Sequence, residues 1–153
     1  MNLLLIRHAT AHAHGLGGGD FARTLIPKGQ EQAHRVGRFL KTHNLIPDLV
    51  LSSPVLRAKE TAEILAEEDC PKPVIESWLA CGMRPQTALH ELSAYKELSS
   101  IAIVGHEPDF SSLIAHVLGA HSCSILVKKA SVISITLGPY PALNFSIPCK
   151  FLP

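Results

Sequence analysis

The sequence predicts an α/β fold, a mostly parallel central sheet flanked by helices. Short apolar runs alternate along the chain with stretches of helical periodicity, the order that builds parallel sheets. The runs "LLLI", "LVL" and "IAIV" are apolar at every position rather than every second one, as in strands covered on both faces. Each of them gives way to a polar loop before the next helix. At 153 residues the chain suits one domain, residues 1–153, with one sizeable core.

The first strand runs from Asn2 to Ile6 and ends at Arg7. A loop holding Gly15, Gly17, Gly18 and Gly19 follows. Then "IPKGQEQAHRVGRFLKTHNL" places Ala33, Val36, Gly37 and Leu40 on one helical face, with Arg35, Arg38 and Lys41 on the other. The second strand spans Leu49 to Leu51, with Ser53 as N-cap and Pro54 at the first position of a helix carrying Leu56, Ile64 and Leu65. "PVIES" from Pro73 reads as a short strand and Gln86 to Glu97 as a helix. Ile101 to Val104 form a further buried strand, with a helix beginning near Pro108. "ASVISITL" and "ALNFSIP", separated by Gly138-Pro139, read as two paired strands.

A formal charge of +1 with 18% charged residues gives no broad electrostatic footprint for nucleic acid or an anionic membrane, so anion chemistry must be local. Cys70, Cys81, Cys123 and Cys149 form no CxxC pair and read as reduced thiols. "LLLI" is too short for the apolar core of a signal peptide, and no segment reaches membrane-spanning length. The expectation is a soluble, cytoplasmic protein. Nothing in the sequence sets its oligomeric state.

Ligands bind such sheets outside the carboxyl ends of the strands. Three strands here end in unusual chemistry: the first in Arg7-His8, the second in Ser52-Ser53 leading to Arg57, and "IAIVG" in His106. Taken singly, Arg7 reads equally well as a surface arginine, Arg57 as a solvated helix residue and His106 as a loop histidine. Their recurrence after three strands favours one site. Two arginines at one point repel unless an anion lies between them, and a phosphoryl group suits the guanidinium. The N-termini of the helices at Arg57 and Pro108 would point free N–H groups at the same anion. A neutral imidazole among these groups can attack phosphorus, and the nearby positive charge lowers its pKa.

In order and spacing, "LLLIRHA", "LSSPVLRAKETA" and "IVGHEP" resemble the three signature segments of the histidine phosphatase superfamily, the phosphoglycerate mutase-like enzymes. The short length, the "DFARTLIPKG" and "LACG" segments and the absence of lid insertions are most similar to the SixA-type phosphohistidine phosphatases. The resemblance implies a phosphoglycerate mutase-like fold, with His8 as the transiently phosphorylated nucleophile and Arg7, Arg57 and His106 holding the phosphoryl oxygens. It makes Arg23 a further contact for the phosphate or a protein substrate. It also implies hydrolysis of the enzyme phosphohistidine by water, with no cofactor or metal. The partner expected is a phosphohistidine-bearing signalling protein. A small phosphoester, or a catalytically silent module that only binds a phosphoprotein, is the alternative. The chain departs from the superfamily at Ala9, where glycine is usual and a methyl matters if the position needs positive φ. Glu76 and Glu107 are the carboxylates near the place of a general acid, though neither sits in an acid motif.

His12 and His14 alternate as metal ligands on an extended chain would, yet no third and fourth ligand stands at matching spacing. The glycine cluster lacks the Lys-Ser or Lys-Thr pair of a nucleotide loop and reads as a rim to the pocket.

Overall fold

A computed structural model describes residues 1–15 and 17–153. Six strands, β1 (Asn2–Arg7), β2 (Leu49–Ser52), β3 (Val74–Ile75), β4 (Ser100–Gly105), β5 (Val132–Thr136) and β6 (Ala142–Ile147), form one sheet. Their order is β3-β2-β4-β1-β5-β6. The first four in that order are parallel, while β5 runs antiparallel to β1 and pairs with β6 as the expected antiparallel couple.

The continuous apolar runs are explained by two cores, one on each face. Leu4 and Ile6 of β1, Val50 of β2, Ala102 and Val104 of β4 and Val132 of β5 share one core. Their neighbours Leu3, Leu5, Leu51, Ile101, Ile103 and Ile133 point the other way into the second. Period-two alternation with both faces buried leaves no polar position in the strand interior. Helices α1 (Pro27–Thr42) and α2 (Leu56–Glu67) cover the first face. Helices α3 (Pro85–Leu92) and α4 (Asp109–Leu118) cover the second. Where α1 meets α2, a Cβ on Gly37 would lie 2.5 Å from the Glu68 Cβ, so glycine sets how closely the helices approach.

Two expected boundaries shift. Helix α2 begins at Leu56, with Val55 rather than Ser53 at its N-cap. The Ser53 hydroxyl accepts the Val55 N–H at 3.2 Å, closing a turn before the helix instead of capping it. The helix expected over Gln86–Glu97 leaves α geometry after Leu92 and tightens into a 3-10 turn, Ser93–Tyr95. There the Ser93 hydroxyl donates to the His90 carbonyl at 2.6 Å, a local bond of the kind that competes with the helical ladder.

The register brings the three strand ends together. Arg7 lies opposite Gly105, and Ser52 opposite Val104. The ladder continues one residue into each loop, His8 N–H donating to the Gly105 carbonyl and Ser53 N–H to that of Val104, both at 3.0 Å. Among the described residues no helix is long and apolar enough to cross a membrane.

Candidate active site

His8 leaves the end of β1 and is 5% exposed. Its Nδ1 lies 2.8 Å from the Ala9 carbonyl oxygen. A carbonyl only accepts, so Nδ1 carries the ring proton and Nε2 is left with a lone pair. The second contact agrees, since Arg57 Nε–H donates to Nε2 at 3.2 Å. Ala9 is fully buried and is not among the residues with positive φ, so its methyl sits in the core without backbone strain. The Ala9 N–H donates to the Thr61 hydroxyl at 3.1 Å, and that hydroxyl donates to the Arg57 carbonyl at 2.7 Å. One buried threonine thus couples the loop after β1 to the first turn of α2.

Arg57 is 4% exposed and every nitrogen of its guanidinium is engaged. Nη1 donates to the Asp20 carbonyl at 2.9 Å, and Nη2 lies 3.2 Å from the Asp20 carboxylate and 3.7 Å from Cys81 Sγ. The other Asp20 oxygen pairs with Arg23 Nε at 2.8 Å, while Arg23 Nη1 donates to the His12 carbonyl at 3.2 Å. Arg23 therefore stands one carboxylate away from Arg57. The 3-10 turn Gly19–Ala22 at the end of the glycine segment carries Asp20, and Leu16 within that segment lies outside the described residues. Gly17 and Gly19 take positive φ there, which favours glycine.

His106 follows β4, 2% exposed, with its ring centroid 5.3 Å from that of His8. Its Nε2 is 2.8 Å from the Ser53 hydroxyl. That hydroxyl already accepts the Val55 N–H, and its own proton finds its acceptor at Nε2. The network therefore assigns the imidazole proton to Nδ1, which is buried with no protein partner. Arg7 donates through Nη1 to the Val127 carbonyl at 2.8 Å, and its Nε is likewise a buried donor without a partner. Two orphaned donors beside one unprotonated imidazole make a site for an anion.

Burial lowers the His8 pKa to about 3, and Arg57, His106 and Arg7 push it the same way against the Ala9 carbonyl. Burial and then Arg57 lower His106 to about 4. Both imidazoles are neutral near neutral pH. A burial penalty works against ionisation of Asp20, but Arg57 and Arg23 outweigh it and hold its carboxyl below the usual range. Burial, opposed by Glu107 and reinforced by Arg57, lowers Arg7, which stays cationic.

The structure brings Arg7, His8, Arg57 and His106 together and sets Arg23 at the rim. It does not bring Glu76 or Glu107 to them through any hydrogen bond. Glu76 accepts from the Tyr95 hydroxyl at 3.5 Å, and Glu107 accepts the Ser111 N–H at 2.8 Å within the first turn of α4. That bond corrects the expectation of two open helix N-termini, because α4 satisfies the Phe110, Ser111 and Ser112 amides internally. His12 and His14 are exposed, and among the described residues no group of three or more His, Cys, Asp or Glu could hold a metal ion. Sequence reasoning missed Asp20, Thr61 and the tautomer-setting role of Ser53. For Thr61 a signal existed, since it stands four residues after Arg57 on the same helix face. Asp20 sits in an aperiodic loop and gives none.

The model of the histidine phosphatase superfamily (branch 1) matches residues 3–74. An uncharacterized protein of Picosynechococcus sp. is 30% identical over 146 residues, which cover 90% of this chain and 86% of that one. Among solved structures, the protein histidine phosphatase SixA complexed with tungstate superimposes with a TM-score of 0.89 at 21% identity, over 98% of each chain. The alpha-ribazole phosphatase of Shigella flexneri does so at 0.80 and 23%, over 97% of each. Those two likenesses establish the phosphoglycerate mutase-like fold. With the family match, the near full-length relative and the three strand-end segments gathered around one imidazole, the chain belongs to the histidine phosphatase superfamily.

Proposed function

We propose that the protein is a cytoplasmic phosphohistidine phosphatase that dephosphorylates a phosphorelay or other signalling protein through a phosphorylated His8. The observation that carries this reading is the His8 tautomer. With Nδ1–H fixed on the Ala9 carbonyl, the Nε2 lone pair faces Arg57 at 3.2 Å, where an incoming phosphoryl group would be held. Arg57 then exchanges both Asp20 and its contact to His8 Nε2 for phosphoryl oxygens, which frees the Nε2 lone pair for attack, while Arg7 and the His106 Nδ1–H supply further donors. Nε2 forms a bond to phosphorus as the bond to the substrate nitrogen breaks, and the departing imidazole leaves neutral when its other nitrogen carries a proton. Water then attacks phosphorus from the vacated side and returns His8, with orthophosphate released. Fixed cations around the moving charge provide the stabilisation, without a metal. Chelation by EDTA leaves the rate unchanged, and loss of activity on chelation would contradict the scheme.

Arg57 and Arg23 hold Asp20 ionised, and Glu76 and Glu107 bond elsewhere, so among the described residues no carboxyl group is set to act as an acid. This favours a phosphoramidate, whose leaving group needs less protonation than an alcohol. A small phosphomonoester is the second reading, supported by the likeness to the Shigella flexneri alpha-ribazole phosphatase. The test compares kcat/KM for a phosphohistidine-bearing phosphotransfer domain with that for simple phosphate esters, each with the His8→Ala variant alongside. A clear preference for the phosphoprotein, lost in His8→Ala, is expected. Preference for the ester favours the second reading, and tight phosphoprotein binding without turnover marks a silent module.

A further inference from the structure

Beside the phosphoryl site lies a separate cleft of about 310 Å³, lined by Arg7, Gln32, Lys128, Lys129, Cys149 and Lys150. In a chain of net charge +1, this is a local concentration of cations. Lys128, Lys129 and Lys150 are exposed and, among the described residues, none of them forms a salt bridge. Glu31, on the neighbouring face of α1, is already paired with Arg38 at 2.7 Å.

The two consecutive lysines are not on a free loop. Val127 before them is buried, its carbonyl held by Arg7 Nη1 at 2.8 Å. Ala130 after them is fully buried, and its N–H donates to the Arg7 and His8 carbonyls at 3.0 and 3.3 Å. A further bond from Ser131 N–H to the Lys128 carbonyl at 3.0 Å closes the turn. The backbone under Lys128 and Lys129 is therefore bolted to the strand end that carries the candidate nucleophile, and both exposed side chains line the cleft with Arg7. Lys150 lies on the C-terminal side of the cleft, its ammonium 4.5 Å from the Phe151 ring centroid.

We infer that this cleft is a docking site for an acidic segment of the phosphorylated protein, set at a fixed offset from the phosphohistidine. The inference rests on the proposal that the substrate is a protein. A phosphoryl group needs only the donors around His8. Three unpaired ammonium groups outside that circle fit carboxylates farther along the same partner, and long-range attraction of this kind acts on encounter and KM more than on the chemical step.

The test uses the full-length chain and its Lys128→Glu/Lys129→Glu variant. The substrates are a histidine-phosphorylated peptide flanked by aspartates, the same peptide with asparagines in their place, and para-nitrophenyl phosphate. The expected result is a fall of about tenfold or more in kcat/KM for the acidic peptide, chiefly through KM and with a weaker salt dependence. The asparagine peptide and the ester are expected to change little. If no substrate responds to charge reversal, or all three lose rate together, docking is overturned. If the unmodified chain hydrolyses the ester but neither peptide, the protein-substrate reading falls and the docking site falls with it, a pattern distinct from equal turnover of both peptides.

Discussion

At the residue scale one guanidinium, that of Arg57, has two competing sets of partners. In the structure Arg57 is engaged by His8 Nε2 and by Asp20, so a phosphoryl group binds by displacing an anion the protein itself supplies. Asp20→Asn removes the competing charge while keeping the carbonyl contact, and inhibition by orthophosphate is expected to tighten several-fold; unchanged or weaker inhibition would contradict displacement of Asp20 by phosphate. Arg7→Ala and Arg57→Ala each lower kcat/KM on the order of a hundredfold or more, as loss of a transition-state charge partner does. Arg57→Lys rescues poorly in the same assay, since an ammonium lacks the planar fork that can hold two phosphoryl oxygens at once. The folded values of about 3 for His8 and about 4 for His106 place the acid limb of kcat/KM near pH 4 or below, once the substrate's own ionisation is measured and removed. A limb near the ordinary imidazole value of 6.5 would contradict the burial argument. Arg7, His8 and His106 were legible in the sequence because each follows directly on a buried apolar run, and Arg57 because it stands in the first turn of the helix after another such run. Asp20 was not, because the partner that ties it to the site, Arg57, is 37 residues away and brought to it only by the fold.

At the element scale, sequence periodicity located all four helices and the strands, and the misplacements fall at their ends. Ser53 has the chemistry of an N-cap, but its hydroxyl is taken by Val55 N–H and His106, a tertiary demand that no local pattern announces. The opposite ends follow one device: Asn44, Asp69 and Gly119 take positive φ, and Leu45, Cys70 and Ala120 donate back to Leu40, Leu65 and Ala115. These are left-handed helix stops, which glycine fills at least steric cost. Asn44→Gly is therefore expected to raise stability by several tenths of a kcal/mol in chemical denaturation. Thr61→Val keeps the shape of the α2–loop junction but leaves the buried Ala9 N–H without an acceptor, a loss of about 1–3 kcal/mol. It should lower both the denaturation midpoint and kcat, whereas an unchanged kcat would show that the loop holding His8 is fixed by other contacts.

At the scale of the whole molecule, two cores press on one sheet whose carboxyl edge gathers buried, neutral imidazoles. Their folded values lie below the unfolded 6.5, so the unfolded chain binds more protons as pH falls and stability falls with it. The contribution is fully present above about pH 6.5 and is lost progressively toward pH 4 and 3, each histidine adding a slope of about 1.4 kcal/mol per pH unit. Denaturant titrations across that window check the slope, and the His106→Gln variant should flatten it. The parallel direction of the central strands was legible because buried runs and intervening helices leave little alternative, whereas their order across the sheet was not. The substrate is not written in that scaffold, since the same fold at TM-scores of 0.89 and 0.80 includes a protein histidine phosphatase and an alpha-ribazole phosphatase. What the scaffold does commit to is the face of the His8 ring. Rapid-quench trapping of the enzyme during turnover, with mass spectrometric localisation and phosphorus NMR of the adduct, tests this most directly. The account predicts an acid-labile, base-stable phosphoryl group on His8 Nε2 that is absent from His8→Ala, whereas full turnover with no adduct, or an adduct on His106, would contradict it.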